Sequence, residues 1–138
     1  MNCGGFYGIM RRMPPARRFP ARVIAAIRNG TYFGIRAGRA PHRFIGIWMV
    51  EVGGRVFVRS WTMKRDGWYR TLLAEKHGAI QAGPREVRVR ARRVTSERVK
   101  DAVSAAYFAK YDTPASLKYC RGFARGRRRE TTTELVPF

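Results

Sequence analysis

Two hydrophobic runs separated by Gly53-Gly54 form the clearest pattern in the chain, within the segment RFIGIWMVEVGGRVFVRSW. A two-residue glycine loop can adopt the positive φ values of a tight turn, so these runs are predicted to form a β-hairpin. The loop also sets the register. It pairs Val52 with Arg55 and Val50 with Phe57, and it places Trp48 opposite Arg59 at a distance suited to a cation–π contact.

Both faces of the predicted hairpin are largely apolar. A hairpin with one face in water would instead alternate hydrophobic and polar residues. We therefore expect a barrel interior on one face. On the other face the pattern allows a helix, a cofactor or a second subunit.

The remaining pattern predicts four helices, four more strands and one basic loop. A helical period, capping residues and Gly or Pro at the ends indicate the helices, and β-branched runs bounded by turns indicate the strands. This order predicts a mainly β, α+β fold, a small barrel with peripheral helices. The predicted helices are 20–30, 68–76, 95–112 and 113–120, the strands are 31–38, 79–83, 85–94 and 130–138, and the loop is 121–129.

The predicted domain organisation is simple. Residues 1–20 contain Gly-Gly, Pro-Pro and Arg pairs without periodicity, and we expect a basic, flexible tail there. Residues 21–138 are predicted to form a single domain. No apolar run reaches the length of a membrane span and no apolar stretch follows the early arginines, so we expect neither a membrane segment nor a secretory signal. With only Cys3 and Cys120, the chain is expected to be cytoplasmic.

The charge is strongly positive, at +20, and Arg outnumbers Lys by 24 to 5. One interpretation is a module that binds nucleic acid or another polyanion. The alternative is that the Arg bias reflects the composition of the source genome. Residues 1–60 and 61–138 each carry a net charge of about +10, so no basic arm is separated from a neutral domain.

Motifs for several kinds of chemistry are missing from the sequence. The two histidines, His42 and His77, lie far apart, and no Cys, His and Asp cluster has metal-ligand spacing, so no metal site is expected. The phosphate-loop, dinucleotide and nucleophile-elbow motifs are also missing. Enzyme activity is left open. If the protein is an enzyme, we expect a bound cofactor to carry the chemistry.

The segment VFVRSWTMKRDGWYR holds the candidate site. Arg59, Arg70 and either Lys64 or Arg65 offer charged donors for a phosphate, and Ser60 adds a hydroxyl. A helix N-terminus is predicted directly before Trp68, a position that favours anions. Trp61, Trp68 and Tyr69 supply flat surfaces for a ring system. The alternative is that the two tryptophans are core residues and the arginines are rim charges.

The stretches IWMVEVGGRVFVRSW, GWYR, GAIQAG, AAYFAKY and TTTELVP resemble a small bacterial domain family of unknown function. That family is similar to the FMN-binding split β-barrels, most closely to the deazaflavin-dependent nitroreductase-like proteins. The resemblance covers about residues 23–138 and implies a split barrel that forms a homodimer, with FMN or a deazaflavin at the subunit interface. It places the cofactor phosphate near Arg59, Ser60, Trp61, Trp68, Tyr69 and Arg70. The nitroreductase-like relatives also use a basic strand before the hairpin, so the resemblance makes Arg36, Arg39 and Arg43 further candidates for cofactor binding.

One departure from those relatives is visible. Their Gly-Arg-x-Ser-Gly run and the following Pro-Leu are not intact here.

The sequence leaves three hypotheses about function. The first is a flavin or deazaflavin protein, as a possible oxidoreductase on a small substrate. The second is a basic module for nucleic acid or another polyanion. The third is a cofactor-less barrel with a structural or sensory role.

Overall fold

The computed structural model describes residues 18–138, which form an α+β fold with seven strands and five helices. The helices and strands follow the predicted order closely. The helices are α1 (Ala21–Asn29), α2 (Trp68–Glu75), α3 (Glu97–Lys110), α4 (Pro114–Phe123) and α5 (Gly126–Glu130). The strands are β1 (Phe33–Ala37), β2 (Ile45–Ile47), β3 (Met49–Val52), β4 (Arg55–Val58), β5 (His77–Ala82), β6 (Arg85–Arg93) and β7 (Thr133–Pro137).

The seven strands make one antiparallel sheet in the order β2-β1-β5-β6-β7-β4-β3. The two edge strands, β2 and β3, are consecutive in the chain and are separated only by Trp48. The chain therefore runs directly from one edge of the sheet to the other, which curls the sheet into a nearly closed barrel. The prediction of a mainly β, split-barrel fold with peripheral helices is confirmed.

The predicted hairpin forms in the predicted register. Val50 pairs with Phe57 and Val52 with Arg55. Gly53 and Gly54 have φ values of 57° and 81°, in the region that side chains disfavour, so this turn depends on the two glycines.

The inward face of the hairpin contributes Met49, Val56 and Val58 to the barrel interior, where all three are fully buried. Burial of apolar area of this kind is the main stabilising contribution to such a fold. The core is completed by side chains from α1, α2 and the other strands, among them Ile27, Ile35, Leu72, Ile80, Val89 and Leu135.

The outward face of the hairpin is covered by helices of the same chain. Val50 and Phe57 pack in a second hydrophobic cluster with Val103 and Tyr107 of α3 and Phe123 of α4. The sequence allowed a helix, a cofactor or a second subunit on this face, and the structure shows helices there. The apolar outer face is therefore satisfied within one chain and gives no separate argument for a second subunit.

The predicted helix boundaries needed two corrections. The helix predicted over 68–76 ends at Glu75, because Lys76 turns the chain with a φ of 65°, and Gly78 lies inside β5 rather than stopping the helix. The predicted loop 121–129 is mostly helical. The fourth helix continues to Phe123, since Cys120 and Phe123 are buried on its inner face, and α5 follows at once.

Most of the predicted N-terminal tail, residues 1–17, lies outside the described residues. Phe19, assigned to that tail by the sequence, is 7% exposed and belongs to the core. The packed part of the chain therefore starts at least two residues before the predicted boundary at residue 21.

Candidate functional site

A cleft of about 890 Å³ opens where the chain crosses from β2 to β3. Its walls are β2 with Trp48, the loop that leads from β4 into α2, and one face of α4. This volume lies in the range of pockets that bind drug-sized molecules. The lining residues are Tyr32, Arg43, Ile45, Gly46, Ile47, Trp48, Arg59, Trp61, Thr62, Lys64, Asp66, Gly67, Trp68, Tyr119 and Phe123.

The walls of the cleft are unusually aromatic. All three tryptophans of the chain line it. The Trp48 ring stacks on Tyr111 with centroids 4.0 Å apart, and Trp61 meets Tyr119 and Phe123 edge to face. Such contacts fix the ring orientations.

Several rings at the mouth remain open to solvent. Tyr32 is 75% exposed and Trp61 is 40% exposed, and Ile45 and Tyr119 are also among the exposed large hydrophobic residues. An apolar rim around a concave site is typical of a surface that binds something.

Arg59, the predicted phosphate ligand, is almost fully buried at 2% exposure. Its guanidinium donates four hydrogen bonds to protein acceptors, the Oγ1 of Thr132, the Oγ of Ser104 and the carbonyls of Phe123 and Lys100, at 2.7–2.8 Å. Burial lowers its pKa to about 10. Through these hydrogen bonds Arg59, which follows β4, contacts α3, α4 and the segment before β7. The contacts of Arg59 therefore show a structural role.

The predicted contact between Arg59 and Trp48 is replaced by another. The Cζ of Arg59 lies 5.8 Å from the centroid of the Tyr107 ring, while Trp48 stacks on Tyr111. The hairpin ladder ends at the pair Met49 and Val58, so the extrapolated pairing of Trp48 with Arg59 lies beyond it.

Ser60 is also committed to the protein interior. It is fully buried, its hydroxyl donates to the carbonyl of Thr62 at 2.6 Å, and its N–H donates to the Oγ1 of Thr131 at 2.8 Å. These bonds hold the start of the loop that carries Trp61, so Ser60 shapes the cleft wall from behind.

The N-terminus of α2 reaches the cleft through Gly67 and Trp68. No side chain of residues 18–138 caps this helix and no acidic residue lies in its first turn, so its first N–H groups have no capping acceptor from a described side chain. Trp68 is buried with one part in the cleft wall, Tyr69 belongs to the core, and Arg70 is exposed outside the lining.

The three arginines predicted from the strand before the hairpin separate in the structure. Arg43 is exposed and lines the cleft. Arg36 lies on β1 outside the cleft lining, where it pairs with Glu86 at 3.1 Å and stacks over Phe44. Arg39 is exposed in the turn after β1 and also lies outside the lining.

The cleft has a positive charge balance. Arg43, Arg59 and Lys64 line it against one acid, Asp66, which gives three minus one, or +2. Arg43 and Lys64 form no ion pair with any described residue. Their charges therefore remain uncompensated at the mouth, where they can attract an anion.

Sequence reasoning missed the residues that complete the cleft: Tyr32, Trp48, Tyr119 and Phe123. A partial signal was present for two of them, because Tyr119 and Phe123 are four residues apart and share one face of a helix. That signal was lost because the sequence ended the helix at residue 120. Lys64 was considered only as one of two basic residues in the loop.

Residues 18–138 contain no group of His, Cys, Asp and Glu side chains able to hold a metal ion. None of their helices is both long enough and apolar enough to cross a membrane. His42 lies in a turn, with its ring nitrogens 3.1 and 3.2 Å from the carbonyls of Arg43 and Ala37.

The fold defines the class of the protein, a nearly closed antiparallel barrel with helices packed over one hairpin and an aromatic cleft at the β2–β3 crossing. Residues 23–135 match the family described as "Uncharacterized protein conserved in bacteria (DUF2255)", and the chain belongs to that family. No curated protein matches the chain.

Among solved structures, the chain is similar to a conserved hypothetical protein, Rv2991, from Mycobacterium tuberculosis. The TM-score is 0.57 at 9% sequence identity, over 88% of this chain and 81% of that one. At this identity the likeness shows the fold alone.

Proposed function

We propose that the aromatic cleft binds a planar, anionic cofactor of the flavin type, FMN or a deazaflavin. The observation that carries the proposal is the convergence of all three tryptophans on one cleft with a net charge of +2. Aromatic walls suit a tricyclic ring, and basic side chains beside a helix N-terminus suit a phosphate.

The residues of the cleft fit such a group in size and in charge. Trp48, Trp61 and Trp68 would hold the ring system. Arg43 and Lys64 would contact the phosphate, together with the first N–H groups of α2. The carboxylate of Asp66 would repel a phosphate, but the two positive charges of Arg43 and Lys64 exceed its single negative charge. When bound, a flavin supplies hydride or electron transfer, and the chain supplies position and charge.

The proposal assigns the phosphate contacts to Arg43 and Lys64. Of the two loop bases that the sequence offered, Lys64 lines the cleft and Arg65 does not. Neither Arg43 nor Lys64 forms an ion pair with a described residue. Arg59 and Ser60 are assigned to support, because their donors are taken by protein acceptors.

An oxidoreductase activity on a small substrate, and a homodimer with the cofactor at its interface, remain predictions from the resemblance. Each has a direct test. Light scattering measures the mass in solution. Return of the visible absorbance of the oxidised flavin, when the reduced flavin is mixed with candidate oxidised substrates in the absence of oxygen, measures turnover.

The experiment that tests the proposal is a titration of FMN with the protein, followed by quenching of flavin fluorescence. Riboflavin serves as the phosphate-free control. We expect saturable FMN binding at least about tenfold tighter than riboflavin binding, since charge-assisted phosphate contacts contribute on the order of 1.5–3 kcal/mol. The same titration with a deazaflavin phosphate and its dephosphorylated form covers the other cofactor. If neither ligand pair binds, the proposal is wrong.

A pair of double variants locates the phosphate. Arg43→Ala with Lys64→Ala removes the two proposed contacts, and we expect FMN affinity to fall to the riboflavin level. Arg39→Ala with Arg70→Ala removes the same charge from exposed positions outside the cleft lining, and we expect no comparable loss. Equal losses in the two variants would show that net charge, rather than the cleft, attracts FMN.

A further inference from the structure

A second, basic groove shares Trp61 with the aromatic cleft. It is open, with a volume of about 590 Å³, and is formed by the turn between α4 and α5 and the start of α5. Trp61 lines both the groove and the aromatic cleft. The lining residues of the groove are Trp61, Met63, Lys118, Gly122, Arg125, Gly126, Arg127 and Arg128.

The basic side chains of this groove form no ion pair with any residue that the structure describes. Four of its eight lining residues are basic and none is acidic. The ion pairs among the described residues use other bases, namely Arg28, Arg36, Arg55, Lys100 and Arg129. The groove therefore holds a local cluster of unpaired positive charge. The net charge of +20 alone does not show where on the surface such a cluster lies.

The groove also contains a stacked pair that presents a flat surface. The Cζ of Arg128 lies 3.6 Å from the centroid of the Trp61 ring, and its Nε donates to the carbonyl of Trp61 at 3.0 Å. The hydrogen bond fixes the guanidinium over the indole. Tyr119, 39% exposed, stands edge to face with Trp61 at 5.1 Å.

We propose that this groove binds single-stranded nucleic acid. Lys118, Arg125 and Arg127 would contact successive phosphates, and the Trp61–Arg128 pair would stack with an unpaired base. Aromatic rings and guanidinium planes are the surfaces that hold splayed bases, while a basic groove follows the backbone. This inference does not rest on the proposed flavin site, because its basic residues lie outside the aromatic cleft.

The features of the groove favour a single strand over other polyanions. In a duplex the base faces are stacked inside, so the Trp61–Arg128 pair would have no base to contact. An acidic peptide would use the charges but would leave the aromatic pair without a planar partner. A single strand uses both the charges and the stacked pair.

The test measures fluorescence anisotropy of a labelled single strand of about twelve nucleotides, as oligo(U) and oligo(dT), with an unlabelled duplex as competitor. We expect the single strand to bind and the duplex to compete poorly. A single strand loses about 0.7 units of log K per phosphate contact for each unit of log salt, so the three proposed contacts predict a slope of about −2. No binding at about 50 mM salt would overturn the proposal.

Two matched variants separate the groove from the total charge. Arg125→Ala with Arg127→Ala should weaken binding about tenfold and reduce the salt slope by about one unit. Arg85→Ala with Arg92→Ala removes two exposed arginines from β6 and should leave affinity within about twofold. An equal effect of the two variants would overturn the groove as the binding surface.

Stacking is tested separately with Trp61→Leu, measured at about 200 mM salt where phosphate contacts are weakened. We expect a loss of affinity of about fivefold or more, since stacking of one base contributes on the order of 1–3 kcal/mol, with an unchanged salt slope. Unchanged affinity would rule out the stacked pair.

Discussion

The N–H of Arg59 donates to the hydroxyl of Tyr107 at 3.0 Å, and the guanidinium of the same arginine lies over the Tyr107 ring. Arg59 follows β4 and Tyr107 lies on α3, so this pair joins the barrel to the helix that covers it. Burial and this contact assign Arg59 to the framework beneath the cleft.

Arg59→Ala is therefore expected to destabilise the fold. The change removes four hydrogen bonds from the guanidinium and opens a cavity beneath α3 and α4, so we expect a loss of about 2–4 kcal/mol in the free energy of unfolding. Urea unfolding measures this loss. Arg70→Ala, at an exposed position, is the control and should change stability by about 0.5 kcal/mol or less. Wild-type stability in Arg59→Ala would contradict the structural role.

Gly122→Ala is expected to move Trp61. A Cβ at Gly122 would lie 2.6 Å from two atoms of the indole ring, too close for any unstrained contact. Within a helix, Ala is otherwise favoured over Gly. We therefore expect the melting temperature to be kept while FMN affinity falls about fivefold or more, a cost of roughly 1 kcal/mol.

The control for this change is Ala115→Ser, on the same helix but outside the cleft lining. FMN affinity at the wild-type level in Gly122→Ala would show that Trp61 does not contact the ligand.

Lys110 predicts a pH dependence of stability. Its Nζ donates to the carbonyls of Ile27 and Met49, and burial lowers its pKa from 10.5 to about 8. Between these two values the unfolded chain binds more protons at this position than the folded chain. The contribution of Lys110 to the free energy of unfolding therefore rises with pH in that window. The destabilisation caused by burying the charged ammonium is fully present below pH 8.

Lys110→Met removes this titration. We expect the stability of the wild type relative to the variant to increase between about pH 7 and about pH 9.5, below the range where tyrosines titrate. Urea unfolding at several pH values provides the measurement, with exposed Lys118→Met as the control. A difference that stays constant or decreases over this range would refute the lowered pKa.

Cys120 is expected to be unreactive in the folded protein. It is fully buried, its thiol donates to the carbonyls of Tyr107 and Tyr111, and burial raises the pKa of that thiol. In a Cys3→Ser background, a disulfide reagent should label Cys120 at least about a hundredfold more slowly than in urea. Rapid labelling without denaturant would show that α4 opens readily from α3.

The hairpin register, four of the helices and the barrel class followed from local patterns. Gly53-Gly54 permits one tight turn, and that turn sets every pair of the ladder. The Thr113-Pro114 helix start was equally local. For α3 the sequence offered Thr95 or Ser96 as the cap, and the structure shows Ser96 in that role. The fifth helix was missed, because GRRRE has neither a hydrophobic face nor a capping side chain.

The site was harder to predict than the fold. Arg59 and Arg43 look equally exposed in the sequence, yet one lies under two helices and the other at the cleft mouth. That difference arises from how α3 and α4 pack on the hairpin, between residues far apart in the chain. No local pattern carries this information.

Flavin binding in the aromatic cleft is tested most directly by a proton–nitrogen correlation spectrum of the three tryptophan indole N–H groups, recorded during titration with FMN and, separately, with a deazaflavin phosphate. Because Trp48, Trp61 and Trp68 all line the aromatic cleft, every indole signal reports from the proposed site. We expect saturable shifts of all three indole signals with FMN or with a deazaflavin phosphate, and smaller shifts with the dephosphorylated form at equal concentration. Binding of either cofactor with the three indole signals unmoved, or no binding of either cofactor, would contradict flavin binding in the aromatic cleft.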